Sequence, residues 1–211
     1  MATAKSTSVN VTIKPPNFKM AHFRIRGTAP LVIHRFSQKT QEQMKQKMET
    51  GKAASSRKNR EAKSTDSLYE EARYRHSTGW DGFNASSIRN AMISACRLVG
   101  FKMTLAKLSL FIEADGLDAI DGTPLVRING EPEVSEMMVR NATGVADIRV
   151  RPLWREWNCK LRIRYDMDQF SRTDVANLLL RVGTQVGIGE GRPDSKSSNG
   201  LGFGLFRSEQ Q

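Results

Sequence analysis

The segment that most restricts the fold of this chain runs from Trp157 to Tyr165. Trp157, Cys159, Leu161, Ile163 and Tyr165 stand on one parity, and Asn158, Lys160, Arg162 and Arg164 on the other. A period of two, with one apolar and one cationic side, is the pattern of a β-strand with one face buried and one face in water. Residues 18–27 repeat it, with Ala21, Phe23 and Ile25 alternating against His22, Arg24 and Arg26. Two such strands call for a sheet covered on one side only.

The cover has to come from helices. Ile88, Ala91, Ala95 and Leu98 recur at helical spacing behind Ser86 and Ser87, either of which can cap, and Gly100 follows the end. Ser171, with Asp174 three residues on, opens a second helix whose stripe is Val175, Leu178, Leu179, Val182 and Val186. Alternation returns at 105–114, with Leu108, Leu110 and Ile112 inward, and a last strand is expected in the glycine-spaced run from Gly200 to Phe206. Strands are thus predicted near 19–26, 106–113, 157–165 and 201–207, and helices near 86–99 and 172–186. This β-α-β-β-α-β order predicts an α+β fold of the ferredoxin-like (RRM-like) kind. In that topology the first and third strands lie side by side at the sheet centre, and both helices cover the same face. Leu31-Val32-Ile33 reads as a continuation of the first strand after a bend.

The rest reads as a tail and two insertions. Residues 1–17 form a flexible N-terminal tail, and 18–208 one domain. The insertion at 37–80 is basic and is expected to order in part only around a ligand. Phe36, Met44 and Met48 give it one thin helical face, 51–67 a flexible loop, and Leu68, Tyr69 and Ala72 the start of a short helix. The insertion at 116–150, broken by Pro124, Gly130, Pro132 and Gly144, reads as a β-rich excursion outside the core.

Charge narrows the function. The 211 residues hold 33 Lys+Arg against 22 Asp+Glu, a net charge of +11, which points to a polyanionic partner and first to nucleic acid. No apolar run approaches the ~20 residues of a membrane span, and Met1 to Asn10 has no hydrophobic signal core. No membrane partner is expected. Cys96 and Cys159 are far apart among apolar neighbours and read as reduced core thiols of a cytoplasmic protein.

On adjacent strands, the row His22, Arg24, Arg26 would merge with the row Lys160, Arg162, Arg164. So many like charges repel unless a ligand or acidic cover is present. Because these positions are basic rather than aromatic, phosphate contact is favoured over base stacking. Gly187-Ile188-Gly189-Glu190-Gly191-Arg192 can bring backbone amides close to phosphate. It is neither a Walker loop nor a dinucleotide fingerprint, since it lacks the Gly-Lys-Ser/Thr ending and follows a helix. Further candidate contacts are His34, Arg35, Lys39, Lys45, Lys52, Arg57, Lys58, Arg60, Arg89 and Lys196. Trp80 and Phe83 either stack on bases or staple the following helix. The competing plain reading is that surface cations are solvated and the glycine turn is structural.

Signals for catalysis are thin. His22, His34 and His76 have no carboxylate or cysteine at a telling spacing. The carboxylates between Glu113 and Asp121 and between Glu131 and Glu136 fall in and beside turns with no metal-ligand pattern. No catalytic role, cofactor or metal is expected.

Three segments carry a family resemblance. Gly187 to Pro193 followed by Gly200-Leu201-Gly202-Phe203-Gly204-Leu205-Phe206 resembles the glycine-rich loop and last strand of the RAMP superfamily, the RNA-binding proteins of CRISPR systems. Phe23 to His34 is similar to their first strand and following loop, and Phe83 to Ile93 to their Ser-Ser-hydrophobic-Arg/Lys-Gly helix start. The match is nearest to the crRNA-backbone subunits, as a CRISPR component or a stand-alone, phage-encoded relative. Asn90 stands where those proteins have Gly, and Asn84-Ala85 where they have Pro-Gly. No Asp precedes Asp66, so the acidic residue that RNA-cleaving relatives place after the first strand is missing.

The resemblance implies RNA rather than DNA and head-to-tail self-association along the strand. The expected function is therefore non-catalytic, largely sequence-independent binding of single-stranded nucleic acid. Two alternatives stand beside it: a metal-independent endoribonuclease using His34, and a structural assembly protein.

Overall fold

The computed structural model describes residues 13–36, 64–140, 146–195 and 201–210, together with 42, 44–46 and 48–49. Its centre is a four-stranded antiparallel sheet built from β1 (Phe18–Gly27), β5 (Leu110–Glu113), β10 (Asn158–Asp166) and β11 (Phe206–Gln210). The spatial order is β11-β1-β10-β5, so the two strands with the clearest alternation are neighbours. Their apolar parity is buried throughout: Ala21, Phe23 and Ile25 on β1, and Cys159, Leu161, Ile163 and Tyr165 on β10. Each large side chain so buried contributes about 1.5–3 kcal/mol, which fixes the register and turns every Arg and Lys of the other parity outward.

Two helices supply the cover. Ile88, Ala91, Met92 and Ala95 of α2 (Ser86–Ala95) join Val175, Leu178 and Leu179 of α4 (Arg172–Arg181) in one core with β1 and β10. The start of α4 is the capping box expected from sequence: Asp174 N donates to Ser171 Oγ at 3.1 Å, and Ser171 N to Asp174 Oδ2 at 2.8 Å. At α2 the cap differs from expectation. Neither serine caps; Asn84 Oδ1 accepts from Ser86 N at 2.8 Å. Leu98, assigned to the buried stripe, lies past α2 in a 3-10 turn over Cys96–Val99 and is 49% exposed.

Two smaller sheets complete the structure. One has the order β2-β9-β8, from β2 (Leu31–Val32), β8 (Glu133–Arg140) and β9 (Ala146–Trp154). The other has the order β3-β4-β7-β6, from β3 (Tyr74–Arg75), β4 (Asp81–Asn84), β6 (Gly116–Leu117) and β7 (Pro124–Arg127). Leu31 pairs with Trp154, so the segment after Pro30 leaves the central sheet instead of extending it. Nor is the stretch 116–150 an excursion outside the core. Leu125, Val126, Ile128 and Val150 are buried, and Val126 and Ile128 belong to the same cluster as β1 and α2. The short helix expected at Leu68 is α1 (Thr65–Glu71), capped by Ser64, so Ser64 to Ser67 belong to a helix start rather than to a loop.

Three boundaries move for physical reasons. Met103–Ser109 is a helix, α3, and only 110–113 of the expected strand is extended. Ala106 and Ser109 are buried while Leu108 is 69% exposed, so Leu108 joins the alternation by accident, whereas Leu110 and Ile112 do face the core from β5. The second long helix changes at Val182 to a π-helical turn over Val182–Val186. There a Cβ on Gly183 would collide with Phe206 O of β11. The last strand begins at Phe206, not at 201, because Gly202 and Gly204 take φ of +71° and +68° and turn the chain.

Candidate nucleic-acid interface

The outer face of the central sheet collects the two basic rows in one register. Arg24 lies opposite Lys160, His22 opposite Arg162, and Arg26 opposite Asn158. On the other side of β1, Arg26 faces Arg207 and Arg24 faces Glu209. Arg24, Arg26, Lys160 and Arg207 are exposed, and among the described residues none of the four has an ion-pair partner. Arg207 was missed because the last strand was placed too early; with Phe206 buried, the next residue must point outward.

Arg162 and Arg164 behave differently. Arg162 Nη2 sits 3.2 Å from Asp115 Oδ1 and donates to Ala114 O at 2.5 Å. Arg164 Nε sits 3.2 Å from Glu113 Oε1. The acidic cover that the repulsion argument called for is therefore present on one side, from the edge strand β5 and the residues after it. It was readable in principle: in the expected strand order the second strand flanks the third, and Glu113 has the outward parity.

Two of the cations expected to meet phosphate are structural. Arg35 is 3% exposed and holds Asp118 at 3.4 Å and Asp121 at 3.2 Å, so it is a buried ion pair and not a phosphate contact. Burial raises the Asp121 carboxyl, but Thr123 and Arg35 outweigh it and hold the group below the usual carboxylate value. Arg89 donates to Leu110 O at 2.8 Å and to Lys107 O, tying off the last turn of α3. Phe83 is buried in the core, and Trp80 stacks on His76 at 4.6 Å, which removes Phe83 as a base-stacking candidate. Lys45 is exposed on helical backbone, whereas Lys39, Lys52, Arg57, Lys58, Arg60 and Lys196 lie outside the described residues.

The glycine-rich loop packs between two other segments. Glu190 N donates to Val32 O at 2.8 Å, Ile188 N to Gly204 O at 3.1 Å, and Gly204 N to Pro30 O at 2.7 Å. At Gly189, with φ +76°, a Cβ would strike Val32 O; at Gly204 one would strike Ile188 O. Glycine is required at both places by this close approach. Gly187 N is already given to Val182 O, so its amide is not offered to a ligand, while the amides of Gly189, Gly191 and Arg192 donate to no protein acceptor among the described residues. Arg192 itself donates to Gly189 O at 2.9 Å and braces the loop.

His34 stands beside this loop. Glu190 accepts from Arg149 at 3.1 Å and from Arg151 at 3.0 Å, and the imidazole shares their corner. Much of the side-chain surface meets solvent, yet the ring is crowded from the protein side. Desolvation first and the Arg151 charge second pull its pKa down to about 4, against an opposing pull from Glu190. Burial would raise Glu190, but Arg151, His34 and Arg149 hold it below the usual value. Cys96 and Cys159 are buried free thiols, pushed up by burial.

Among the described residues no cluster of His, Cys, Asp or Glu is placed to hold a metal ion, and no helix is long and apolar enough to cross a membrane. Neither a protein-family model nor a curated protein matches the chain.

Proposed function

We propose that this protein binds single-stranded nucleic acid, RNA in preference to DNA, through the phosphate backbone and without catalysis. The observation that carries the reading is the exposed group Arg24, Arg26, Lys160 and Arg207, four cations in adjoining register on an uncovered sheet face with no ion-pair partner among the described residues. Their mutual repulsion is relieved by a polyanion that releases counterions on binding. The unused amides of Gly189 and Gly191 offer a second place for phosphate.

We read the central frame as ferredoxin-like. In support, the order β11-β1-β10-β5 with α2 and α4 on one face corresponds to strands four, one, three and two of that topology. Membership of the RAMP superfamily is part of the same proposal. It draws support from the meeting of its first and last segments, Glu190 with Val32 and Gly204 with Pro30. Head-to-tail self-association and a cytoplasmic setting, the latter consistent with two free buried thiols, go with it.

The endoribonuclease alternative needs His34 to exchange a proton near neutral pH. A pKa of about 4 leaves the ring unprotonated there, which weighs against an acid role but not against a base role. The test is incubation of the purified protein with labelled single-stranded RNA and, separately, DNA in the presence of chelator. Shifted, intact RNA is the expected result. Shortened RNA would replace the binding reading with the nuclease, and no shift with either probe would leave assembly.

A further inference from the structure

One end of the same sheet face is not basic in effect but aromatic. Phe18 opens β1 and Phe111 lies on β5, directly across from Arg164. Both rings are half-buried on the side of the sheet away from the helices. Their centroids are 5.7 Å apart at an interplanar angle of 72°. The Arg164 guanidinium carbon lies 4.8 Å from the Phe111 centroid and 5.2 Å from that of Phe18, and Glu113 holds its Nε. Met20, the cross-strand neighbour of Arg164, is 42% exposed beside them. The Arg89 guanidinium carbon also lies 5.3 Å from the Phe111 centroid.

We propose that Phe18, Phe111 and Arg164 form a platform on which one unpaired base of the strand stacks while Arg24, Arg26 and Lys160 take its phosphates. The inference rests on the proposed binding function and adds a base contact to it. The charge balance separates the two ends. Glu113 and Asp115 neutralise Arg164 and Arg162, so this end is poor for phosphate but suits an uncharged base. Aromatic rings and a flat guanidinium both accept any base by stacking, which keeps the binding sequence-tolerant. Successive outward residues of a strand are spaced by roughly 6.8 Å, a distance that an extended nucleic-acid backbone also covers per nucleotide. A strand lying along β10 from Lys160 toward Arg164 therefore passes from cations onto rings.

The experiment measures affinity for a fluorescein-labelled oligouridine RNA and for an abasic strand of equal length, each across a range of salt. The unmodified protein should bind oligouridine roughly 5- to 140-fold more tightly than the abasic strand, the range that stacking of one base supplies. Phe111→Leu should remove most of that preference without changing the salt slope, and Phe111→Tyr should retain it. Equal affinity of the unmodified protein for both strands would overturn the platform, and so would a preference that survives in both Phe111→Leu and Phe18→Leu. Phe18→Leu and the abasic comparison keep the test decisive if Phe111→Leu fails to fold. Failure of the underlying reading looks different: Lys160→Ala and Arg24→Ala would then leave affinity for both strands unchanged.

Discussion

The two ends of the central sheet face both carry outward arginines, but at one end their charge is open and at the other it is matched by carboxylates. Around Arg24, Arg26 and Lys160 the cations stand open, and the nearby Glu209 pairs with none of them. Around Arg162 and Arg164 the same kind of residue is matched by Asp115 and Glu113 and leans on Phe111. Formal charge on a strand is therefore not free charge. What decides it is the strand next door, and here β5 brings the acids. Arg35 extends the comparison to its limit, since its charge is absorbed completely inside the structure by Asp118 and Asp121.

The largest effect should come from that limit. Arg35→Met strands a buried carboxylate, and breaking a buried pair from one side costs about 3–5 kcal/mol. Urea unfolding checks it; a loss below about 1 kcal/mol would mean that Arg35 belongs with the open cations after all. At the open end the expectation is reversed. The triple variant Arg24→Ala, Arg26→Ala, Lys160→Ala should keep its stability within about 0.5 kcal/mol. Its affinity for single-stranded RNA should fall by about 1–3 kcal/mol per contact, with the slope of log K against log salt shallower by about 2. An unchanged slope would show that these side chains do not meet phosphate.

Smaller changes sharpen the contrast. Glu113→Gln removes a counter-charge from the neutral end, and at low salt it should improve RNA affinity by about 0.2–1 kcal/mol, the worth of an exposed pair. The gain should vanish at high salt; persistence there would rule out a charge effect. His34 supplies the mildest test. Its folded pKa of about 4 lies below the ordinary 6.5, so between those values the unfolded chain takes up a proton that the folded chain refuses. Stability accordingly falls as pH drops from 6.5 toward 4. His34→Gln should show a smaller shift in urea midpoint between pH 7 and pH 5 than the unmodified protein, and an equal shift would place the acid sensitivity elsewhere.

The sequence displays the long, one-sided elements well and the closely packed ones poorly. β1, β10 and the start of α4 announce themselves because parity and the capping box are local signals. By contrast, α3 was hidden by Leu108 and Leu110, whose spacing of two suits a strand, and only burial reveals that one faces water and the other the core. The start of β11 depends on two glycines with positive φ, and at Gly204 the need arises from contacts with Pro30 and Ile188, far away in the chain. For the site, the outward rows were legible, and of their partners only Glu113, by its outward parity beside the third strand. Arg35 reads like Arg24 until Asp118 and Asp121 are brought to it by the fold, and the ring pair Phe18–Phe111 exists only once β5 takes the sheet edge.

The pairing of β11 with β1 has a consequence for how the molecule is made. Ile25 pairs with Ser208, so β1 has as an edge partner a strand synthesised long after it. At a synthesis rate of about 5–20 residues per second, β1 waits many seconds for β10 and then for β11, and contacts of such long sequence separation slow folding. During that interval Arg24 and Arg26 are already in the emerging chain, while Arg207 is not. The nascent protein thus presents an incomplete cationic face next to an open strand edge, in the immediate neighbourhood of ribosomal and messenger RNA.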